Sequence, residues 1–233
     1  QEKSPEWPVL KQYDSKHLGK IAMPIGGIGT GTVSLGGIGD LRDWEIMNRP
    51  AKGFLAGAGG NRAPFCAIYL KPEGEESIAR ALMGPVDISL YESKDGRKPP
   101  NHGLPRFRRC HFKAAYPFGQ VFLSDDDIPV DVCLKAFNPF IPADADASGI
   151  PIAVLRYVVT NNSNKAIEAA LCASMDNFIG MDGRTVEQGW SGDWIPIGAK
   201  QNRNQFRKGS GFQGIYMYSE GVDREAEQWG TIA

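Results

Sequence analysis

The sequence lacks several features that would assign a function directly. No apolar stretch approaches the ~20 residues that a membrane-spanning helix needs. The formal net charge is only −1, so the chain has no basic field to hold nucleic acid or an anionic membrane surface. We therefore expect any substrate to be neutral or to be recognised through local contacts.

Cysteine and histidine are scarce, and their spacing matches no metal or redox motif. No Cys-x-x-Cys pair is present, which argues against a zinc or thiol-redox site. The histidines His17, His102 and His111 are too dispersed for a metal site or a catalytic triad, and there is no Gly-x-Ser-x-Gly. The sequence therefore predicts no metal and no cofactor. We expect the cysteines to be small buried hydrophobic residues, with one disulfide if the protein is exported. They are Cys66, Cys110, Cys133 and Cys172.

Strand patterns dominate the chain. Its 28 glycines and 16 prolines occur at short intervals, as in proteins built of many short strands and turns. Val130–Phe137 places apolar residues at every second position, and this period of two predicts a half-buried strand. No strand alternates with a helical pattern of about 10–15 residues. We therefore predict an all-β fold, a large antiparallel two-sheet β-sandwich. Further predicted strands are Phe65–Lys71, Phe107–Tyr116, Pro117–Leu123, Ile152–Thr160 and Gln213–Ser219.

Two longer segments carry further predictions. Asn161–Asn164 favours a turn, so residues 151–178 are predicted to form a long hairpin. Ala166–Ala173 has a helix-forming composition, but its position behind that turn favours a strand. Residues 181–212 are rich in Gly, Gln, Asn and Arg and are predicted to form a long surface loop.

The glycine-rich segment Pro24–Thr32 is the most unusual local feature. Neither frame of its glycines completes a Gly-x-Gly-x-x-Gly fingerprint, and no Lys-Ser/Thr pair follows, so nucleotide binding is disfavoured. Gly27, Gly29 and Gly31 instead indicate a backbone that turns sharply or passes close to another group. These three glycines are candidates for a contact with a substrate or with another domain.

The next segment surrounds a tryptophan with hydrogen-bonding side chains. Trp44 follows Asp43 and is followed by Asn48 and Arg49. Because a sugar shows an apolar face and polar edges, such a group is suited to stacking on a sugar ring. The alternative is a core tryptophan on a strand. All four residues are candidates for substrate binding or a domain interface.

Asp144–Gly149 resembles the first half of a calcium-binding loop. The twelfth position of such a loop should be a bidentate Glu, but it is Leu155 here. A turn in which a carboxylate accepts backbone N–H bonds is therefore favoured.

Several blocks of the sequence, in order, resemble the opening of family 116 glycoside hydrolases, which include β-glucosidases and non-lysosomal glucosylceramidases. The resemblance covers about residues 18–180, weakens over 181–212 and returns at Trp229. The blocks are residues 24–31, Asp43–Pro50, Phe65–Ile68, Tyr116–Val121, Ile128–Pro142, Asp144–Ser148, Pro151–Val154 and Thr160–Ser163.

This resemblance implies that the chain is part of a longer two-domain protein. Residues 1–17 would be an N-terminal tail and residues 18–233 the β-sandwich, packed on a catalytic (α/α)₆ toroid. In the family the toroid carries the nucleophile Glu and the acid/base Asp of a retaining mechanism. Their segment would lie beyond Ala233, so no catalytic residue is assigned and the segment alone is expected to be inactive. The implied partners are the toroid and a β-glucoside or glucosylated lipid or oligosaccharide.

Three hypotheses for the function stay open at this point. The first is a non-catalytic domain that braces the toroid and helps shape the mouth of its active site. The second is an autonomous carbohydrate-binding module, and the third is a complete β-sandwich enzyme with its own carboxylates. An exposed apolar face on the sandwich would favour the first. If Gln1 reflects signal-peptide removal, the protein is periplasmic or extracellular; otherwise it is cytoplasmic.

Overall fold

The computed structural model describes residues 6–46, 63–86, 101, 103–181, 186–188, 194–196 and 201–233. Almost all of their regular structure is β-strand, which confirms the predicted all-β class. The elements are β1 (Lys11–Tyr13), β2 (Ala22–Ile25), β3 (Thr32–Gly36), β4 (Leu41–Glu45), β5 (Phe65–Pro72), β6 (Ile78–Ala81), β7 (Arg109–Ala115), β8 (Phe118–Ser124), β9 (Val130–Phe137), α1 (Ala145–Ser148), β10 (Val154–Asn161), β11 (Ile167–Ser174), β12 (Val186–Gln188), β13 (Trp194–Pro196), β14 (Asn202–Lys208) and β15 (Gln213–Ser219).

The alternation along β9 shows why these residues form strands. Val130, Val132, Leu134 and Ala136 are all buried at 1% exposure or less, whereas Asp131 between them is exposed. Successive side chains of a strand point to opposite faces, so one face of β9 enters the core and the other does not. The period of two predicted from the sequence is confirmed here.

All strand pairs within the described sheets are antiparallel. A five-stranded sheet has the order β1-β7-β8-β9-β10, and two three-stranded sheets have the orders β11-β5-β6 and β2-β3-β4. Side chains from all three meet in one buried cluster that includes Leu35 of β3, Leu70 of β5 and Leu134 of β9. The five-stranded sheet therefore forms one layer of a sandwich, and the two smaller sheets face it.

The predicted hairpin over residues 151–178 is wrong. β10 pairs with β9 over its whole length, from Val154↔Phe137 to Asn161↔Val130, and β11 pairs with β5 in the other layer. Residues 162–166 therefore cross between the layers. The chain crosses because β10 pairs with the eight residues of β9 in one layer, and β11 pairs with the eight residues of β5 in the other. The strand assignment of Ala166–Ala173 is nevertheless confirmed.

Residues 181–212 are not one long loop. They contain the paired strands β12 and β13 and the whole of β14, which pairs with β15. Six of the seven residues of β14 are exposed, so the strand needs no apolar face. Its sequence therefore lacks the apolar alternation by which a strand is recognised.

The segment expected to be a tail also contributes to the sheet. β1 pairs with β7, from Lys11↔Ala114 to Tyr13↔Phe112, and the Trp7 ring lies 4.9 Å from that of Phe118. Three residues are too few for their alternation to be recognised in the sequence. Backbone pairing with β7 and the aromatic contacts together hold this edge in place.

The cysteines differ in their surroundings. All four are free, and Cys110 is buried on β7, with its Sγ 3.5 Å from the carbonyl oxygen of Gly37. Burial, reinforced by the charge of Asp40, raises the pKa of the Cys110 thiol from 9.0 to about 12. Cys66 and Cys133 are half-buried and Cys172 is exposed, so the expectation of burial is confirmed only for Cys110.

We predict that stability falls at alkaline pH because folding holds the Cys110 thiol neutral. The folded pKa is raised, so the stabilisation is complete below pH 9 and is lost as pH rises from 9 towards 12. The loss from this group should be about 1.4 kcal/mol per pH unit in that window. Urea unfolding of wild type and Cys110→Ala at pH 8 and pH 10 should show a smaller pH effect in the variant. Cys172→Ala is the control, and an equal pH effect in wild type and Cys110→Ala would contradict the assignment.

Candidate functional site

The glycine-rich segment forms a tight loop directly after β2. Gly29 and Gly31 have φ angles of +77° and +92°, in the left-handed region that residues with a Cβ rarely adopt. Gly27 is required for a different reason, because a methyl group added there would lie 2.4 Å from the carbonyl oxygen of Ile150. Both sequence interpretations, a sharp turn and a close approach, are confirmed for this loop.

Two hydrogen bonds fasten the loop to residues 138–152. Asn138 Nδ2 donates to the carbonyl oxygen of Gly26 at 2.8 Å, and the Ile28 amide donates to the carbonyl oxygen of Ser148 at 2.8 Å. Asn138 directly follows β9 and is buried, so the loop is anchored to the end of a core strand. The loop therefore has a fixed position relative to the sandwich.

Residues 138–152, to which the loop is hydrogen-bonded, are themselves ordered by side-chain hydrogen bonds. Asp144 caps α1, since its Oδ1 accepts the Ala147 amide at 2.9 Å. Ser148 is buried, and its Oγ accepts the Ile141 amide at 2.9 Å and donates to the Ile141 carbonyl oxygen at 3.0 Å. The interpretation of Asp144 as a turn carboxylate accepting backbone N–H bonds is confirmed.

Apolar side chains surround this loop and face solvent. Ile28 belongs to the loop itself and is 45% exposed. Ile152 lies next to Gly26 and is 57% exposed. The ring of Phe140, within residues 138–152, lies 6.2 Å from the ring of Tyr116, and both residues are exposed. We call this surface the Gly-loop face. It comprises residues 26–31 with Tyr116, Phe140, Ile141, Ile150 and Ile152.

The Asp43–Trp44 pair lies on β4, beside the other flank of the loop. Between the pairs Thr32↔Glu45 and Ser34↔Arg42, two residues of β4 oppose one residue of β3, so Asp43 lies in a β-bulge with φ +50°. Asp43 is buried. Gly31 packs against the end of this strand, because a methyl group there would lie 3.0 Å from Ile46 Cα.

Trp44 lies in a small second core. It is 6% exposed, its ring stands edge-on to Phe178 at 5.3 Å, and Met181 belongs to the same cluster. The structure therefore matches the core alternative for Trp44, since stacking on a sugar requires an exposed ring face. Asn48 and Arg49 lie outside the described residues. A binding or interface role for the seven candidates stays a prediction.

Sequence reasoning missed Asn138 and the apolar rim. Asn138 Oδ1 has no hydrogen-bond partner among the described residues, which marks the side chain as a buried polar group under the loop. The signal in the sequence was the run Asn138–Pro142, in which two prolines flank Phe140 and Ile141. That run cannot continue a central strand and must leave the sheet, with its apolar side chains outside the ladder.

A separate cleft of about 810 Å³ lies at β1 and is lined by residues between Lys11 and Lys20. Lys11, Lys16 and Lys20 line it together with His17 and Asp14, whose side chains are 2.6 Å apart and exposed. The hydrogen bond from His17 lowers the pKa of Asp14. This arrangement keeps Asp14 ionised, which is the opposite of what a general acid needs.

Two features are absent from the described residues. No three His, Cys, Asp or Glu side chains come together there in a way that would hold a metal ion. No helix in that part of the chain is long and apolar enough to span a bilayer.

We predict that Asn138→Asp destabilises the protein at neutral pH. The carboxylate would face the Gly26 carbonyl oxygen without a proton to donate, at a cost of about 1–3 kcal/mol. Protonation at pH 4 should restore part of the loss. The matched control is Asn161→Asp, because Asn161 makes an equivalent 2.8 Å bond to the Lys165 carbonyl oxygen at an exposed turn. Urea unfolding should show a clearly smaller effect for Asn161→Asp, and equal losses would argue against the anchoring role of Asn138.

Comparison with known proteins now bears on identity. No curated protein matches the chain. A family model described as "beta-glucosidase 2, glycosyl-hydrolase family 116 N-term" matches residues 22–233, which include the Gly-loop face and both layers of the sandwich. The resemblance stated from the sequence blocks is confirmed. The chain belongs to glycosyl-hydrolase family 116 and is similar to that family's N-terminal domain over residues 22–233.

Proposed function

We propose that this domain braces the catalytic domain of a β-glucosidase-type glycoside hydrolase and helps shape the mouth of its active site. The Gly-loop face is the docking surface. The observation that carries the proposal is the exposed apolar rim around a loop whose position is fixed by buried hydrogen bonds. The chemistry of hydrolysis belongs to the partner domain, and the substrate is a β-glucoside or a glucosylated lipid or oligosaccharide.

The apolar rim supports docking because its side chains are exposed and lie outside the core clusters. Ile150 and Ile152 lie beside the loop rather than in the core cluster, and 46% and 57% of their surfaces face solvent. Contiguous exposed apolar patches on soluble proteins mark interaction surfaces. Asp144 and Asp146 are exposed beside the rim, which gives the apolar centre a polar border typical of an interface.

The rigidity of the loop supports the same function. Its Gly26 carbonyl oxygen and its Ile28 amide are already paired with Asn138 and Ser148, so docking would not have to order these two groups. At Gly29 an added methyl group would meet nothing within 4 Å, which leaves the crest of the loop accessible to an approaching backbone. Such a fixed crest is suited to holding a wall of a neighbouring active site in place.

We predict that Ile28→Lys in the full-length glycosidase lowers kcat/KM by at least about tenfold, because an unpaired ammonium would be buried at the interface. Ile215→Lys is the matched control, since Ile215 is 46% exposed and Ile28 is 45% exposed, but Ile215 lies on β15. Steady-state kinetics and calorimetry of both variants give the result. Wild-type kinetics and melting in Ile28→Lys would rule out this face as the docking surface.

A carbohydrate-binding module is the second candidate, and one face of the β14–β15 hairpin favours it. Tyr216 and Tyr218 lie 5.5 Å apart there, with Gln205 directly opposite Tyr216. Aromatic rings beside planar polar side chains are typical of sugar sites, and the two tyrosines are half-buried. However, the Arg207 guanidinium lies 3.5 Å over the Tyr216 ring and already covers one of its faces, so docking is the better-supported function.

If this hairpin binds glycans, the full-length protein should bind cellotetraose in calorimetric titrations, and Tyr218→Ala should weaken that binding by about tenfold or more. Tyr69→Ala is the control, because Tyr69 is an exposed tyrosine on β5. The absence of binding in wild type, or equal affinities in both variants, would exclude the module.

A further inference from the structure

The outer face of the five-stranded sheet carries a line of basic and amide side chains. Gln120 of β8 lies directly opposite Lys113 of β7 on one side and Lys135 of β9 on the other. Lys135 in turn lies opposite Arg156 of β10. The alternate positions of β9 fill the core, so these side chains belong to the face directed away from it. Neighbouring strands are about 4.8 Å apart, and the four residues therefore form one line across the sheet, which we call the cationic row.

Two members of the cationic row are buried although they are polar. Gln120 is 5% exposed and Lys135 is 9% exposed. Among the described residues, the Gln120 carboxamide makes no hydrogen bond, and Lys135 Nζ makes neither a hydrogen bond nor an ion pair. Buried polar groups in proteins are usually paired, because leaving them unpaired is costly. Both side chains therefore keep their full capacity to bind a ligand.

Acidic side chains do not balance the charge of the row. The outward positions of β7 to β10 hold one acid, Asp131, which lies about 13 Å along β9 from Lys135. Lys113, Arg156 and the exposed Glu6 make no ion pair with a described residue. Like charges directly opposite each other destabilise a sheet, and Lys135 and Arg156 are such a pair. The row thus holds three positive charges that the described residues do not neutralise.

Aromatic rings border the row and hold its lysines. The Trp7 ring lies 4.9 Å from the Phe118 ring, and Lys135 Nζ lies 5.4 Å from the centre of the same indole. On the other side of Gln120, Lys113 Nζ lies 4.7 Å from the centre of the Phe122 ring. A ring face attracts a cation but carries no net charge, so it positions the ammonium groups without neutralising them. The row is therefore an ordered set of donors with an aromatic border.

We infer that the cationic row binds the phosphate group of a small soluble molecule. Ammonium, guanidinium and carboxamide N–H groups all donate hydrogen bonds, so the ligand must accept them and be anionic. A phosphate monoester has a charge of about −1.5 to −2 at pH 7 and three acceptor oxygens, which suits three cations better than a single carboxylate does. Because Lys135 is buried against Trp7, a small anion reaches it more readily than a flat membrane surface does. This inference is separate from docking at the Gly-loop face.

Calorimetric titration of the full-length glycosidase with inorganic phosphate, at neutral pH and constant ionic strength, tests the inference. Wild type should bind with a Kd of about 1 mM or tighter, and Lys135→Met and Arg156→Gln should each weaken binding by about tenfold or more. Lys208→Met is the matched control and should bind as wild type does, since Lys208 is an exposed lysine on β14. No binding in wild type, or equal affinities in all variants, would overturn the inference. Binding to vesicles of phosphatidic acid without binding of inorganic phosphate would also overturn it.

Thermal unfolding separates ligand binding from a purely structural role of the lysine. In chloride buffer without phosphate, Lys135→Met should raise Tm, because the change removes a repulsion from Arg156. The same variant should lose the rise in Tm that phosphate gives wild type. A lower Tm with an unchanged phosphate response would show that Lys135 only packs against Trp7 and would overturn the inference. Arg156 is exposed, so Arg156→Gln keeps the test decisive if Lys135→Met does not fold.

Discussion

The structure depends on one shared core between two antiparallel layers. Leu35, Leu70, Val121 and Leu134 come from four strands in three sheets and are buried at 1% exposure or less. Close packing fixes which face of each strand points inward, and the inward face then fixes the register, because a slip of one residue would turn every side chain to solvent. This constraint also explains the crossing at residues 162–166, since each strand must add to the layer that can bury its inner face.

The same core reaches the Gly-loop face through a buried polar residue. Asn138 follows the buried strand β9 and holds the Gly26 carbonyl oxygen, so the loop inherits the rigidity of the sheet. The absence of side chains at Gly27 and Gly31 allows the loop to lie against Ile150 on one flank and Ile46 on the other. A surface feature is thus positioned by core packing rather than by local loop preference, as a docking role requires.

The sequence by itself determined the all-β class, most strands, the Asp144 cap, the need for glycine at the loop and the family, because each of these depends on neighbouring residues or on ordered blocks. Only the tertiary structure decided that β10 and β11 lie in different layers, that Trp44 is covered by Phe178, and that Asn138 anchors the loop. These features join residues up to 134 positions apart, and the local pattern shows which face is apolar but not which strand lies opposite.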